Sequence, residues 1–167
     1  AFIDAYDPAA VFSSIDSGGR YAFGAQPTIA KWNLARFAES LLPLLTETDG
    51  SIAEAVGLVE PVLGEFDDVF SRTWTNGMAA KLGIRGASDE AVRDLAEEFL
   101  QILARGRVDY MTAFRRLTDV ASNANSDENT EALSLFSERS GDRDSAAAWL
   151  TRWMQHAPSA ALMQSAN

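Results

Sequence analysis

The 167-residue chain has no cysteine and a single histidine, His156. Without thiols there is no disulfide framework, no thiolate nucleophile and no zinc–thiolate centre. With one imidazole there is no multi-histidine metal site and no HExxH helix. The lack of cysteine fits a reducing compartment, and the cytoplasm is the expected location. Apolar runs are short, far from the roughly 20 residues a membrane span needs. Cations are scarce too: 14 Lys and Arg stand against 24 Asp and Glu, for a net charge of -10. So acidic a surface repels nucleic acid and anionic membranes, and neither is expected as a partner. Glycine-rich signatures are missing as well. There is no GxGxxG, no Walker glycine-lysine loop and no GxSxG, and "SGGR" lacks the spacing of a phosphate cradle. The opening "AFIDAYDPAAVF" has no basic n-region and carries Asp4 and Asp7, so it does not read as a signal peptide. It also lacks a starting methionine, and the chain is expected to be a piece of something longer.

What is present is apolar and helical. Hydrophobic residues make up 47% and aromatics 10%, a globular composition in a length suited to one domain with a core of its own. Residues 1–26 hold Pro8, Gly18, Gly19 and Gly24 without a sustained period. They predict an irregular arm, with short extended pieces near Phe2-Ile3 and from Arg20 to Phe23. Residues 27–167 predict a helical domain. Pro27 suits a first helical turn, and Ile29, Trp32, Phe37, Leu41 and Leu44 predict one apolar face running to Leu45. "SIAE", Ser51 to Glu54, is a capping box. It opens a helix predicted to end at Leu82-Gly83, with Ile52, Val56, Val59, Leu63, Phe66, Phe70, Trp74 and Met78 on its apolar face. Pro61 is expected to kink or split it.

Ser88 predicts a cap for the next helix, which buries Val92, Leu95, Phe99, Ile102 and Leu103. Gly106 separates it from a helix over Val108 to Val120 carrying Tyr110, Phe114 and Leu117. "SNANSDENTE" reads as a linker, and Leu133, Leu135 and Phe136 mark a short helix. Asp142 to Asp144 opens another, with Trp149, Leu150 and Trp153 on one side. Pro158 begins a last turn. The fold class is all-α with an irregular N-terminal arm.

Few residues invite chemistry. Asp4 and Asp7 are either hard-cation ligands or, at Asp7-Pro8, an ordinary turn. His156, three residues after Trp153, reads as helix-end packing or as an acid–base group without an identified partner. Asp67-Asp68 and Glu97-Glu98 read as solvated helix surface. Trp32, Phe66, Phe70, Trp74 and Phe99 form either core or a ligand pocket. No catalytic, cofactor-binding or metal-binding residue is assigned.

"FIDAYDP" followed by "GRYAFGAQPTIAKWNLARFAESLLPLL" closely resembles the YdiU/selenoprotein O family. "MAAKLGI" near residues 78–84, "RVDYMTAFRRLTD" at 107–119 and the closing "LMQSAN" agree in order. Residues 122–148 match poorly. The resemblance implies a protein-kinase-like fold. It also implies transfer of AMP from ATP, held in a flipped orientation with magnesium or manganese, to hydroxyl side chains of proteins. It places the nucleotide-binding basic residues, the catalytic aspartate and both metal ligands upstream of Ala1, the last ligand in an Asp-Tyr-Gly-Pro-like motif. The family's redox cysteine or selenocysteine would fall after Asn167. The chain is therefore expected to be a C-terminal helical fragment, noncatalytic by itself. Its implied partners are the N-terminal catalytic part and the protein substrates of the whole.

On that reading residues 1–26 strap across the catalytic face. Arg20 pairs with a carboxylate or a substrate group, and Tyr21 and Phe23 anchor the arm to the helix starting at Pro27. Trp32 is a core residue on which folding depends. Asn33 either satisfies backbone groups of the strap or faces water. The alternative from a different class is a noncatalytic helical protein-interaction module.

Overall fold

The computed structural model describes residues 4–46, 50–122 and 143–167. Among them there are seven α-helices, one 3-10 turn and no strand, as the sequence predicts. The helices are α1 (Gln26–Leu45), α2 (Ile52–Gly64), α3 (Phe66–Lys81), α4 (Asp89–Gly106), α5 (Tyr110–Ser122), α6 (Arg143–Met154) and α7 (Ala160–Ala166). The extended pair Phe2-Ile3, most of the linker "SNANSDENTE" and the short helix at Leu133, Leu135 and Phe136 lie outside the described residues. The chain forms two compact units, one of residues 8–73 and one of residues 1–7 with 74–167.

In the second unit the aromatic residues build the core. Trp153 stacks on Trp149 with centroids 5.8 Å apart, and Trp149 stacks on Phe99 at 4.5 Å. Phe99 meets Phe114 edge-on at 5.2 Å, Phe114 meets Tyr110 at 4.8 Å, and Tyr110 meets Tyr6 at 5.7 Å. Offset and edge contacts of this kind add about 0.5–1.5 kcal/mol per pair beyond area burial. Both buried indoles satisfy their N–H groups. Trp149 Nε1 donates to the Leu95 carbonyl and Trp153 Nε1 to the Leu82 carbonyl, each at 2.8 Å. The α4 face predicted from spacing, Val92, Leu95, Phe99, Ile102 and Leu103, is buried throughout. α4 packs against α6, and α5 against α7.

Local chemistry sets the helix ends. Ser88 Oγ accepts from the Ala91 N–H and caps α4. The left-handed residue that ends α4 is Arg107 (φ 48°) and not Gly106, which is the last helical residue and is buried. The Val108 N–H then donates back to the Leu103 carbonyl at 3.0 Å. That bond spends Val108 on closing α4, so α5 begins at Tyr110, two residues later than the predicted start. Asp109 caps it, with Oδ1 accepting from the Thr112 N–H. Asp109 also pairs with Ala5 in an isolated antiparallel bridge, and the Tyr6 N–H donates to the Val108 carbonyl at 2.8 Å. This short contact ties the arm's first residues to the α4–α5 junction.

The long helix predicted from Ser51 to Gly83 is split in two, though Pro61 itself lies within α2. The break falls at Glu65, whose N–H reaches back to the Pro61 and Leu63 carbonyls. The capping box of Ser51 and Glu54 is formed in both directions. α3 stops at Lys81, and Gly83 turns the chain at φ +69°. A Cβ there would lie 2.8 Å from Met163 Cγ and Sδ and 2.9 Å from the Ser159 nitrogen. The Ser159 N–H donates to the Gly83 carbonyl at 2.9 Å, so the backbone itself closes this corner.

The unit of residues 8–73 departs from the sequence reading. Arg20-Tyr21 is a turn and not an extended piece. Asp16 accounts for this: its carboxylate accepts the Arg20 and Tyr21 N–H groups, each at 2.8 Å. The arm doubles back through Phe23 N–H to the Ala10 carbonyl (3.0 Å) and Gly24 N–H to the Pro8 carbonyl (2.8 Å). It enters α1 through the 3-10 turn Phe23–Ala25. No α1 residue is buried. Trp32 is 44% exposed and Phe37 61%, so the face predicted to be core lies open.

Two outcomes test this account of the fold. Gly83→Ala combines a left-handed backbone with a steric clash, and is expected to cost at least about 1–2 kcal/mol in chemical denaturation. Asp109 titrates below the ordinary aspartate value of 3.8, first because of hydrogen bonds from the side chain and backbone of Thr112. Its contribution is therefore complete above that value and is lost as pH falls through the lower folded-state value. Asp109→Asn keeps a capping acceptor and should flatten this acid limb. Asp109→Ala should cost about 1 kcal/mol at neutral pH, as for other caps.

Candidate functional site

Three separated stretches meet at Lys81. Its ammonium donates to the Ala166 carbonyl at 3.0 Å and to Asn167 Oδ1 at 3.2 Å. It lies 5.2 Å from the Phe114 ring centroid and 5.9 Å from that of Tyr110. Asn167 returns the contact, its Nδ2 donating to the Lys81 carbonyl at 3.0 Å and to Thr118 Oγ1 at 3.5 Å. Burial lowers the Lys81 pKa from the ordinary lysine value. The C-terminal carbonyls of α3, left without partners by the helix itself, thus gain Asn167 as a donor. The contacts join "MAAKLGI", "RVDYMTAFRRLTD" and "LMQSAN". Sequence reasoning quoted all three segments but singled out neither Lys81 nor Asn167. A lone lysine at a helix end gives no sign of the partner 86 residues away.

The other cluster lies within residues 8–73. The Arg20 guanidinium sits over the Trp32 ring, 4.4 Å from its centroid, and Arg36 approaches the same ring at 5.5 Å. Arg36 also pairs with Glu39. Arg20, expected to pair with a carboxylate or a substrate group, has no carboxylate within ion-pairing distance among the described residues. Cation–π stacking fixes it instead, with its backbone N–H held by Asp16. Trp32 was expected in the core and is instead the platform for these two arginines. Tyr21 is exposed and Phe23 half-buried, and Asn33 faces solvent, which decides between its two readings.

The remaining candidates are dispersed. Asp4 is exposed and Asp7 half-buried, and among the described residues no three His, Cys, Asp or Glu side chains are grouped to hold a metal ion. His156 is half-buried, with its backbone N–H donating to the Trp153 carbonyl at 3.0 Å in the turn that ends α6. Asp67 pairs with Lys31 and Glu98 with Arg152 across helices, so these acids do more than face water. Of the aromatic set, Phe99 is core. Phe66 stacks on the exposed Phe70 at 6.1 Å. Among the described residues no helix is long and apolar enough to cross a membrane.

A family model described as protein adenylyltransferase SelO matches residues 1–166. The chain belongs to this family. It is 43% identical to a protein nucleotidyltransferase YdiU of Mycobacterium sp. (strain KMS) over 167 residues, all of this chain and 32% of that protein. It is 42% identical to the Mycolicibacterium smegmatis protein of the same name over 168 residues, again all of this chain and 31% of the relative. The Brevibacillus brevis relative is 52% identical over 118 residues, 71% of this chain and 23% of its own. The chain thus spans about a third of the length of the first two relatives. Within this SelO-family chain, the Lys81 junction draws its residues from motifs that carry the resemblance.

If the junction is a coupled unit, Lys81→Met and Asn167→Ala should each destabilise the protein by about 1–3 kcal/mol, the cost of stranding buried polar partners. The double variant should cost less than the sum of the two, by roughly 0.5–3 kcal/mol, in a thermodynamic cycle of urea melts. Strict additivity would mean that the two residues act separately.

Proposed function

We propose that this chain is the helical C-terminal portion of a longer protein adenylyltransferase that moves AMP from ATP to hydroxyl side chains of proteins. The observation that carries the reading is the match of residues 1–166 to a family described as protein adenylyltransferase, in a chain about a third as long as relatives named protein nucleotidyltransferases. The reading includes a kinase-like fold for the whole and a cytoplasmic setting. ATP and magnesium or manganese are held outside residues 1–167. Residues 1–26 follow the metal-binding aspartate as a strap, and residues 27–167 form the helical part. Arg20, held on Trp32 and with no carboxylate partner among the described residues, is the residue of the strap best prepared to meet an anionic group.

The test is transfer of label from ATP carrying it at the α-phosphate, with magnesium or manganese, by the longer polypeptide. Serine, threonine or tyrosine residues of protein substrates should gain the mass of AMP, and the 167-residue chain alone should label nothing. Transfer from the γ-phosphate would overturn the assigned chemistry. Labelling by the isolated chain would overturn its noncatalytic role.

A further inference from the structure

The unit of residues 8–73 is a folded arrangement with almost no interior. Its only buried apolar residues, among those described, are Ala22 and Ala55. Of the large apolar side chains that stand exposed in the described chain, Met111 alone lies outside it. Leu34, Phe37, Leu45, Leu58, Val62 and Val69 among them share one groove. α1, α2 and the first turn of α3 enclose a groove of about 500 Å3 lined by Leu34, Phe37, Leu41, Leu58, Val62 and Phe66, among others, with Glu65 its one ionisable side chain. A second, smaller cleft between α1 and α2, about 190 Å3, is lined by Ala35, Leu42, Val56 and Val59, with Glu39 and Glu60. α2, IAEAVGLVEPVLG, is thus apolar toward both clefts and has two charged residues, Glu54 and Glu60.

A helix apolar around most of its circumference belongs to the inside of a larger fold. Packing of α1 on α2 alone cannot pay the ordering cost of so many residues. We infer that the groove is the seat of an amphipathic helix from the part of the longer polypeptide that the relatives contain and this chain does not span. The inference rests on the reading of the chain as a portion of a longer protein. About two thirds of each full-length relative lies outside the match, ample chain to supply the cover. A groove between neighbouring helices accepts a third through side chains at i, i+3, i+4 and i+7. Its occupant presents leucine, isoleucine, valine or phenylalanine at those positions and a lysine or arginine toward Glu65. A second copy of this chain is the poorer occupant. A two-fold contact would cover one patch with its own image, while α2 is apolar toward both clefts.

The experiment places a photo-crosslinking amino acid at Leu58 in the longer polypeptide and maps the linked peptide by mass spectrometry. A single linked peptide from outside residues 1–167 is expected. A peptide from within 1–167, in the same molecule or, by mixed isotope labelling, in a second one, overturns the inference. Hydrogen exchange supplies the second arm. Amides of α1 and α2 should exchange at least 100-fold more slowly in the longer polypeptide than in the 167-residue chain, and Leu41→Asp should abolish that difference. Equal exchange in both proteins overturns the inference. Neither readout uses AMP transfer, so failure of the docking and failure of the proposed activity are told apart.

Discussion

Two indole N–H groups hold the core unit together. Trp149 and Trp153 lie one helical turn apart on α6, and each inserts its ring among apolar side chains while needing one acceptor. The acceptors are backbone carbonyls of α4 and of the corner after α3, at Leu95 and Leu82. A buried donor without a partner costs more than the bond returns. The two bonds therefore fix both the rotation of α6 and its height along α4. With α6 placed, Trp149 fixes Phe99, Phe99 fixes Phe114, and the column continues through Tyr110 to Tyr6.

This half of the molecule was largely legible in the sequence. Val92, Leu95, Phe99, Ile102 and Leu103 fall on one helical face, and Ser88 announces its cap, because these signals act within a turn or two. The carbonyl partners of the tryptophans and the meeting of Lys81 with Asn167 were not legible, since they join residues 54 to 86 positions apart. The misreading of Trp32 has a different cause. Periodicity reports that a face is apolar, not what covers it, and among the described residues no α1 side chain is fully buried. The extended reading of Arg20 to Phe23 failed because Asp16 captures two backbone N–H groups, a side-chain choice that alternation does not encode.

The two units differ in how far each can stand alone. The one built on α4, α5, α6 and α7 closes on itself, with Leu82, Leu103, Leu117, Trp153 and Met163 all fully buried. The other carries a paired-arginine platform on Trp32 and an open apolar groove. A segment can thus be well specified as helix and remain unspecified as a folded body.

The tryptophan pins also bear on the order of events as the chain is made. α6 follows α3, α4 and α5 in the chain, so its indoles emerge after the carbonyls they bind. Until then α4 presents Phe99 and Leu95 to solvent, and the Leu82 carbonyl has no indole donor. Helices α3, α4 and α5 can form from local contacts, while the core waits on contacts of long sequence separation. This unit is therefore committed only once α6 has been made, and the interval before α6 arrives is when its apolar faces are most open to wrong partners.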